Sequence, residues 1–304
     1  MLPVIDLAEP DDQRLAAAFG QACAEIGFAF VINHGVADAV KQRARAATRA
    51  FHALAAEAKA RVARQPGRYR GYIAPLAFSH DRANGRQILY ETFIVGPEIA
   101  EQDPLVAATG GLLAPNRWPP APAGFRAAIL DYWAAMEALG QRLLTLTALA
   151  LGTEPATFHG HFRQALNNLS LLHYPPSPAG QRPADARPHR DTNVLTILLP
   201  GEVGGLEVQR RDGAWLAVPP LEQGFVVNIG NMLEHWSGGR FRSTMHRVHP
   251  PEGVDRYSLA FFLAPGADTE VTPLDGSGAG QAPMNAGRDL AAFIAQFDGG
   301  PPKY

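Results

Sequence analysis

A histidine and an aspartate stand two positions apart at the start of an apolar run, in the segment RPHRDTNVLTILL. In an extended chain, side chains at positions i and i+2 point to the same face, so His189 and Asp191 are expected to converge while Arg190 points away. A neutral imidazole nitrogen and a carboxylate oxygen together suit a divalent first-row metal. Two ligands leave such a metal undersaturated, so the pair predicts a third ligand elsewhere in the chain.

The candidate for this third ligand is His246, which lies 55 residues after Asp191 in the segment FRSTMHRVHP. The segment is predicted to be a strand, and antiparallel pairing brings distant segments together. His249 is expected on the opposite face of a regular strand, which favours His246. Two histidines and one carboxylate on one face of an octahedral ion leave three positions open, the arrangement of non-haem Fe(II) oxygenases. Zinc hydrolysis is less favoured, because no glutamate is placed beside the histidines as a base.

An arginine and a serine follow ten residues beyond His246, in the strand-like segment RYSLAFFLAP. Arg256 and Ser258 are again two positions apart and are expected to share a face. A buried guanidinium needs an anionic partner, and its planar fork matches a carboxylate with two charge-assisted bonds. The pair therefore predicts a site for the carboxylate of a ligand, with an internal salt bridge as the alternative.

The elements that must position these residues fall into two regions. Residues 1–165 contain short strands at 2–6 and 28–35 and long helical stretches, which the apolar spacing places at 11–27, 36–63 and 125–151. From 166 to 304, short apolar runs alternate with glycine- and proline-rich turns, the pattern of an antiparallel sandwich or barrel. The sequence thus predicts an α+β fold, in which an N-terminal helical region packs on a C-terminal β-structure as one integrated unit.

Composition narrows the class of protein. The 304 residues carry a formal net charge of -2, which lacks the basic excess typical of nucleic-acid binding. Cys23 is the single cysteine, so the chain forms no internal disulfide. The N-terminus resembles no secretory signal, and the most apolar stretch, 125–151, contains charges that a membrane span would reject. We expect a cytoplasmic protein with a small-molecule substrate and with neither nucleic acid nor membrane as partner.

Taken in order, these motifs resemble the isopenicillin N synthase-like branch of the Fe(II)/2-oxoglutarate-dependent dioxygenases. The resemblance covers nearly the whole chain and rests on the segments LPVIDL, GFAFVINHGV, RGY (70–72), ETF (91–93), NRWP (116–119), HYPP (173–176), HRDTNVLTILL, GGLEVQRRDGAWLAVPP, VVNIGNMLEHWSGGRFRSTMHRV and RYSLAFFL. It implies a double-stranded β-helix, or jelly-roll, core. It also implies Fe(II) held by His189, Asp191 and His246, and 2-oxoglutarate bound through its distal carboxylate by Arg256 and Ser258, with Tyr174 assisting.

The same resemblance implies the reaction. O2 and 2-oxoglutarate are consumed, succinate and carbon dioxide are released, and a C–H bond of a small metabolite is oxidised, by default to an alcohol. Three positions depart from the family pattern, one of which is the segment FAF (28–30) where relatives commonly have FFQ. Leu172 replaces an asparagine that in many relatives steadies the metal-proximal end of 2-oxoglutarate, and Asn231 replaces an aspartate after Gly230. The shared motifs specify neither the substrate nor the oligomeric state, since the substrate pocket is built outside them.

Two other functions are compatible with these motifs. One is a 2-oxoglutarate-independent Fe(II) oxidase of the isopenicillin N synthase or aminocyclopropane carboxylate oxidase type, which uses the Arg-Ser pair on another acid. The other is a non-catalytic binding protein on the same scaffold. The remaining candidates are expected to pack or to form turns, namely His34, His159, His161 and His235, whereas Arg70, Tyr72 and His80 belong to a loop region that is predicted to be able to cover the site.

Overall fold

The computed structural model describes residues 1–75, 90–176, 186–221, 223–249, 252–277 and 283–295. The strands in this part of the chain are β1 (Val4–Asp6), β2 (Phe28–Ile32), β3 (Gly71–Ile73), β4 (Glu91–Val95), β5 (Asn168–Tyr174), β6 (Ala186–His189), β7 (Leu195–Leu199), β8 (Leu206–Gln209), β9 (Trp215–Val218), β10 (Phe225–Ile229), β11 (His246–Val248), β12 (Arg256–Leu263), β13 (Glu270–Val271) and β14 (Met284–Asn285). The helices are α1 (Asp12–Glu25), α2 (Asp38–His52), α3 (Ala56–Ala60), α4 (Pro104–Ala108), α5 (Phe125–Leu151), α6 (Ala156–His159), α7 (Asn231–Trp236) and α8 (Ala286–Ala295).

Two sheets form the β-core. The larger has eight strands in the order β1-β2-β10-β7-β12-β5-β4-β3, and the smaller has four in the order β6-β11-β8-β9. Apolar side chains from both sheets meet in one cluster, which includes Phe28, Val208, Val226 and Val248. Four strands carry the candidate site residues. Of these, β5 and β12 belong to the eight-stranded sheet, and β6 and β11 belong to the four-stranded sheet. The predicted α+β fold with a jelly-roll core is confirmed.

A second and larger apolar core lies between the eight-stranded sheet and the helices. The long helix α5 contributes the stripe predicted from its spacing, with Phe125, Ile129, Met136 and Leu143 all essentially inaccessible. The N-terminal region is more than a helical cover, however. It supplies β1 to β4 to the same sheet as β7, β10 and β12, so the main sheet is built from both regions.

The predicted long helix over 36–63 is wrong in one respect, because the structure breaks it into α2 and α3. The break follows from the burial of Lys59, whose side chain is 10% exposed. The Lys59 ammonium turns back to donate to the main-chain oxygen of His52 at 3.0 Å and to the Glu91 carboxylate at 2.7 Å. A continuous helix separates positions 52 and 59 by about 10 Å along its axis, so the turn between α2 and α3 allows this contact.

The turn from α1 to β2 holds the segment that leads into β11. Gly27 has φ +69°, and a Cβ there would lie 1.9 Å from the main-chain oxygen of Arg242, so this close approach requires glycine. Nearby, the Thr244 hydroxyl donates to the Ile26 oxygen at 2.6 Å. The start of β11, at His246, is therefore anchored on the N-terminal region. No helix within the described ranges has the length and apolarity needed to cross a bilayer.

Candidate active site

Three side chains converge where β6 and β11 pair. His189 lies directly opposite His246 in the antiparallel register, and the two ring centroids are 4.3 Å apart. Asp191 directs Oδ1 toward both rings, at 3.7 Å from Nε2 of His189 and 3.7 Å from Nε2 of His246. One ligand atom from each of the three residues lies within 4.8 Å of the others. The structure thus brings together the three residues that the sequence pattern singled out.

The second oxygen of Asp191 is held by two residues that the sequence interpretation missed. Oδ2 accepts a hydrogen bond from the Thr196 hydroxyl at 2.6 Å and from the Asn228 amide at 2.8 Å. Both donors are buried in otherwise apolar strands, β7 and β10. Since a buried polar group needs a partner, these polar positions were the only signal available in the sequence. Their effect is to fix the carboxylate so that Oδ1 alone faces the imidazoles.

The protonation states of the cluster suit a cation. Nδ1 of His246 donates to the main-chain oxygen of Thr244 at 3.1 Å, which leaves the Nε2 lone pair directed at Asp191. Burial, with His189 alongside, lowers the pKa of His246 to about 4, so this ring is neutral near pH 7. Burial acts to raise the pKa of Asp191, but the two imidazoles and the Asn228 and Thr196 hydrogen bonds outweigh it and keep that pKa below its ordinary value.

These donors fit a first-row divalent ion. With bonds of about 2.0–2.2 Å, ligand atoms around one ion are separated by roughly 3–4 Å, and the two measured separations are 3.7 Å. The ligand set of two imidazoles and one ionised carboxylate matches what such ions prefer. The His189 side chain is 43% exposed, so the cluster is open to solvent at His189.

A buried arginine lies on the neighbouring strand β12. Arg256 is 2% exposed, directly opposite Tyr174 in the register of β5 and β12, and its guanidinium lies 5.0 Å from the centre of the Tyr174 ring. Nε donates to the Gly204 oxygen at 3.0 Å, and one terminal nitrogen lies 3.5 Å from the Ser258 hydroxyl. Burial lowers the pKa of Arg256, an effect that Tyr174 opposes.

Among the described residues, no carboxylate forms an ion pair with Arg256, and its guanidinium donates to neutral oxygens, those of Gly204 and Ser258. A buried cation of this kind requires an anion to offset its desolvation. The planar guanidinium, with a hydroxyl and a phenol beside it, is suited to a carboxylate of a ligand. Leu172, the departure from the family pattern, lies directly opposite Ser258 and adds an apolar side chain at that point.

A cavity of about 860 Å³ adjoins His189. Its walls include Pro188, Met245 and Met284 together with the polar side chains of Asn231 and His235. Its size is within the range of small-molecule pockets, roughly 300–1,000 Å³. A molecule in this cavity is in contact with the exposed side of a cluster residue.

The remaining candidates have structural roles. Nδ1 of His34 accepts from the Val36 amide at 3.0 Å, and His159 lies 3.1 Å from the Thr145 hydroxyl, as expected for turn and packing residues. His249 lies outside the cluster, 3.0 Å from Glu207. His161 packs on Trp236 of α7, 5.3 Å between ring centres.

Arg70 and Tyr72, which were expected in a loop region able to cover the site, are buried residues, and Tyr72 belongs to β3. Arg70 is 1% exposed within the core, and the Tyr72 hydroxyl donates to the buried Glu91 carboxylate. Both side chains are therefore committed to the interior of the N-terminal region. His80, the third residue of that hypothesis, lies outside the described residues.

Comparison with known families agrees with the geometry. A model of the 2OG-Fe(II) oxygenase superfamily matches residues 164–265, which include the cluster, Arg256 and Ser258. A second model, described as the N-terminal part of the non-haem dioxygenase in morphine synthesis, matches residues 2–121. Together the two matches extend over both regions of the chain.

Individual relatives resemble most of the chain. The 2-oxoglutarate-dependent dioxygenase citB of Monascus ruber is 36% identical over 265 residues, which are 84% of this chain and 79% of the relative. A solved 2OG-Fe(II) oxygenase family protein from Caulobacter crescentus superposes with a TM-score of 0.85 at 29% identity, over 97% of this chain and 98% of the other. A full-length Neurospora crassa protein, crystallised with alpha-KG and thymine, gives 0.82 at 26% identity, over 97% and 96%.

Proposed function

Since the chain belongs to the 2OG-Fe(II) oxygenase superfamily and is a 2-oxoglutarate-dependent dioxygenase, we propose that His189, Asp191 and His246 are its iron ligands. The observation that carries this assignment is the position of Asp191 Oδ1, 3.7 Å from Nε2 of each histidine. Asp191 supplies the negative charge, the two imidazoles supply nitrogen ligands, and Thr196 and Asn228 keep the carboxylate in place. Hydrogen bonds of this kind, made behind the ligating atoms, orient the ligands of metal sites.

Bound Fe(II), with 2-oxoglutarate and O2, supplies the oxidation of a C–H bond, and succinate and carbon dioxide are the co-products. The chain's own contribution is to bind and orient the reactants and to shield them. We assign the distal carboxylate of 2-oxoglutarate to Arg256, with the Ser258 hydroxyl as a further donor and the Tyr174 ring covering the guanidinium. The support for this is the buried guanidinium, which pairs with no carboxylate among the described residues and lies beside the other two side chains.

The proposed substrate is a small metabolite that occupies the cavity beside His189, and the proposed outcome is hydroxylation. The volume of about 860 Å³ accommodates such a molecule. The complex of the Neurospora crassa protein with thymine supports a substrate of this size. The net charge of -2 supports neither nucleic acid nor an anionic membrane as a partner.

We propose further that residues 1–165 and 166–304 act as one catalytic unit, which the shared eight-stranded sheet supports. A cytoplasmic location is also proposed. Its support is the absence of any pair of cysteines in the sequence, as is common in reducing compartments, and the use of a reduced metal. Fractionation of cells that express the chain, with assay of the activity in each fraction, tests this location.

Anaerobic titration with Fe(II) and then with 2-oxoglutarate tests the assignment, read by the metal-to-ligand charge-transfer absorption that appears when the 2-oxo acid chelates the metal. We expect the band in the parent chain and its loss in Asp191→Ala and His246→Ala. Asp212→Ala and His249→Ala are the matched controls, because Asp212 pairs with Arg210 and His249 with Glu207. A full band in Asp191→Ala, with the protein folded, contradicts the ligand assignment.

Oxygen uptake distinguishes this function from the 2-oxoglutarate-independent oxidase. We expect uptake to depend on added 2-oxoglutarate and to be matched by succinate formation. Uptake that continues at the same rate without 2-oxoglutarate is the result expected of the oxidase. Iron binding without turnover over a broad panel of small metabolites is the result expected of a binding protein.

A further inference from the structure

A buried ionic network lies behind the Arg256 pocket, with Glu91 at its centre. The Glu91 carboxylate accepts from the Lys59 ammonium at 3.0 and 2.7 Å and from the Tyr72 hydroxyl. Nδ1 of His173 lies 2.8 Å from the same carboxylate. Burial acts to raise the pKa of Glu91, but these donors lower it far below its ordinary value, so the group is ionised. The ammonium of Lys59 already occupies the position that a metal ion would need at this carboxylate.

His173 extends this network to the start of β12. Its Nδ1 faces Glu91, and its Nε2 lies 2.6 Å from Oδ1 of Asp255. The ring therefore bridges two carboxyl groups, with one nitrogen directed at each of them. The Glu91–His173–Asp255 chain of contacts therefore links β4 and β5 to the residue that immediately precedes Arg256. We call this chain the relay.

Both sequence neighbours of Arg256 contact the imidazole of His173. Asp255 accepts from His173, and Tyr257 stacks on it with 4.4 Å between ring centres and 6° between planes. Tyr257 is also directly opposite His173 in the strand register. Because successive side chains of a strand alternate between faces, these contacts lie on one face of β12, while Arg256 and Ser258 lie on the other.

Within the pocket the guanidinium contacts neutral groups, Tyr174 among them. Nε is hydrogen-bonded to Gly204 at 3.0 Å, but the contact to Ser258 is long, at 3.5 Å. Bidentate recognition of a carboxylate needs the fork to be placed within about 0.5 Å. The backbone on either side of Arg256 is therefore the natural means of placing it.

We propose that the relay positions Arg256 for the distal carboxylate of 2-oxoglutarate, with His173 and Asp255 as positioning residues that touch neither the co-substrate nor the iron. This inference rests on the proposed role of Arg256. It predicts that the affinity for 2-oxoglutarate depends on Asp255, a partly exposed residue on the far face of the strand, whereas the affinity for a 2-oxo acid without a distal carboxylate does not.

The test compares 2-oxoglutarate with pyruvate as ligands of the Fe(II)-loaded protein under anaerobic conditions, by the charge-transfer absorption. The variant is Asp255→Ala. Its side chain is 49% exposed, so its removal leaves no internal cavity. We expect the Kd for 2-oxoglutarate to rise about tenfold and the Kd for pyruvate to stay unchanged. A general loosening of the protein affects both ligands alike.

Two further variants sharpen the result. Asp255→Asn keeps an acceptor oxygen for Nε2–H of His173 but loses the charge, so its 2-oxoglutarate Kd should lie between those of the parent and Asp255→Ala. Asp131→Ala is the matched control, because Asp131 of α5 is 56% exposed and forms an ion pair with Arg43 of α2 at 3.0 Å. We expect the control to bind both ligands as the parent does.

The outcomes separate the relay from the assignment of Arg256. If Asp255→Ala binds 2-oxoglutarate like the parent, or weakens pyruvate to the same degree, the relay is overturned. Arg256→Ala, measured in parallel, reports on the assignment itself. A large loss of 2-oxoglutarate affinity in Arg256→Ala with none in Asp255→Ala removes only the relay, and no loss in Arg256→Ala removes the proposed carboxylate site.

Discussion

Thr196 donates its hydroxyl to Oδ2 of Asp191 at 2.6 Å, and this contact leaves Oδ1 as the oxygen that faces His189 and His246. The two oxygens of the carboxylate therefore have different roles. One is bound to the protein scaffold, and the other is directed into the cluster.

Thr196→Val tests this division, because it keeps the shape of the side chain and removes the donor. We expect Fe(II) affinity to fall about 10–100-fold, measured by anaerobic calorimetric titration. Thr147→Val is the control, since Thr147 is equally buried and donates to the Leu143 oxygen at 2.8 Å within α5. Unchanged affinity in Thr196→Val shows that Asn228 alone suffices to orient Asp191.

Arg256→Lys preserves the positive charge but removes the planar fork. If the fork binds the distal carboxylate, the KM for 2-oxoglutarate should rise by at least about 30-fold, corresponding to about 2 kcal/mol, while kcat at saturating co-substrate changes little. Succinate formation as a function of 2-oxoglutarate concentration measures both constants. Arg142→Lys, in an ion pair between α5 and Asp12 of α1, should leave both unchanged. A loss confined to kcat contradicts the proposed role.

Glu91→Gln removes the charge that balances the buried ammonium of Lys59. Leaving one partner of a buried pair uncompensated costs about 3–5 kcal/mol, so the free energy of unfolding should fall by that order. Urea denaturation gives the value, with Glu101→Gln as the control. The Glu101 side chain is 60% exposed and paired with Arg68, and removing its charge should have little effect on stability, because solvent screens an exposed ion pair. Equal losses in the two variants disagree with the buried network.

Acid should destabilise the protein in two steps, of which His52 contributes to the first. Burial lowers the pKa of His52, so the unfolded chain binds a proton at a higher pH than the folded chain does. The stability that neutral His52 contributes is fully present above about pH 6.5, the ordinary pKa of histidine. It is lost as the pH falls from there through the lowered pKa of the folded protein. Urea denaturation at about four pH values between 7.5 and 5.5 gives the slope of the unfolding free energy against pH. This slope should be shallower in His52→Gln than in the parent. Parallel profiles for the two proteins contradict this contribution.

The second step arises from Glu91. Its pKa is lowered in the folded protein by the hydrogen bonds that outweigh its burial, so its contribution is present above about pH 4.3 and is lost as pH falls below that value. Glu91→Gln should remove the dependence in this lower window. The same urea series, continued to about pH 3.5, checks it, and a variant that keeps the parent's acid slope rules out Glu91 as the cause.

Local spacing was sufficient for several features. His189 and Asp191 are two residues apart, and backbone geometry alone places such side chains together. The apolar stripe of α5 and the alternating runs of the C-terminal region likewise follow from periods of 3.6 and 2 residues. The same reasoning predicted one long helix over 36–63, and this prediction was wrong. The break in the helix depends on Lys59, whose partner Glu91 is 32 residues away along the chain.

By itself, the sequence determined the residue types of the cluster, their order and the class of fold, since these depend on short-range spacing and on motifs that extend along the chain. Only the tertiary structure decided that Thr196 and Asn228 bind the back of Asp191, and that His173 joins Glu91 to Asp255 behind Arg256. These contacts depend on strand register and on which faces meet across the sheet. Neither is encoded in the distance between two residues along the chain, because register is selected by the packing of all the strands together.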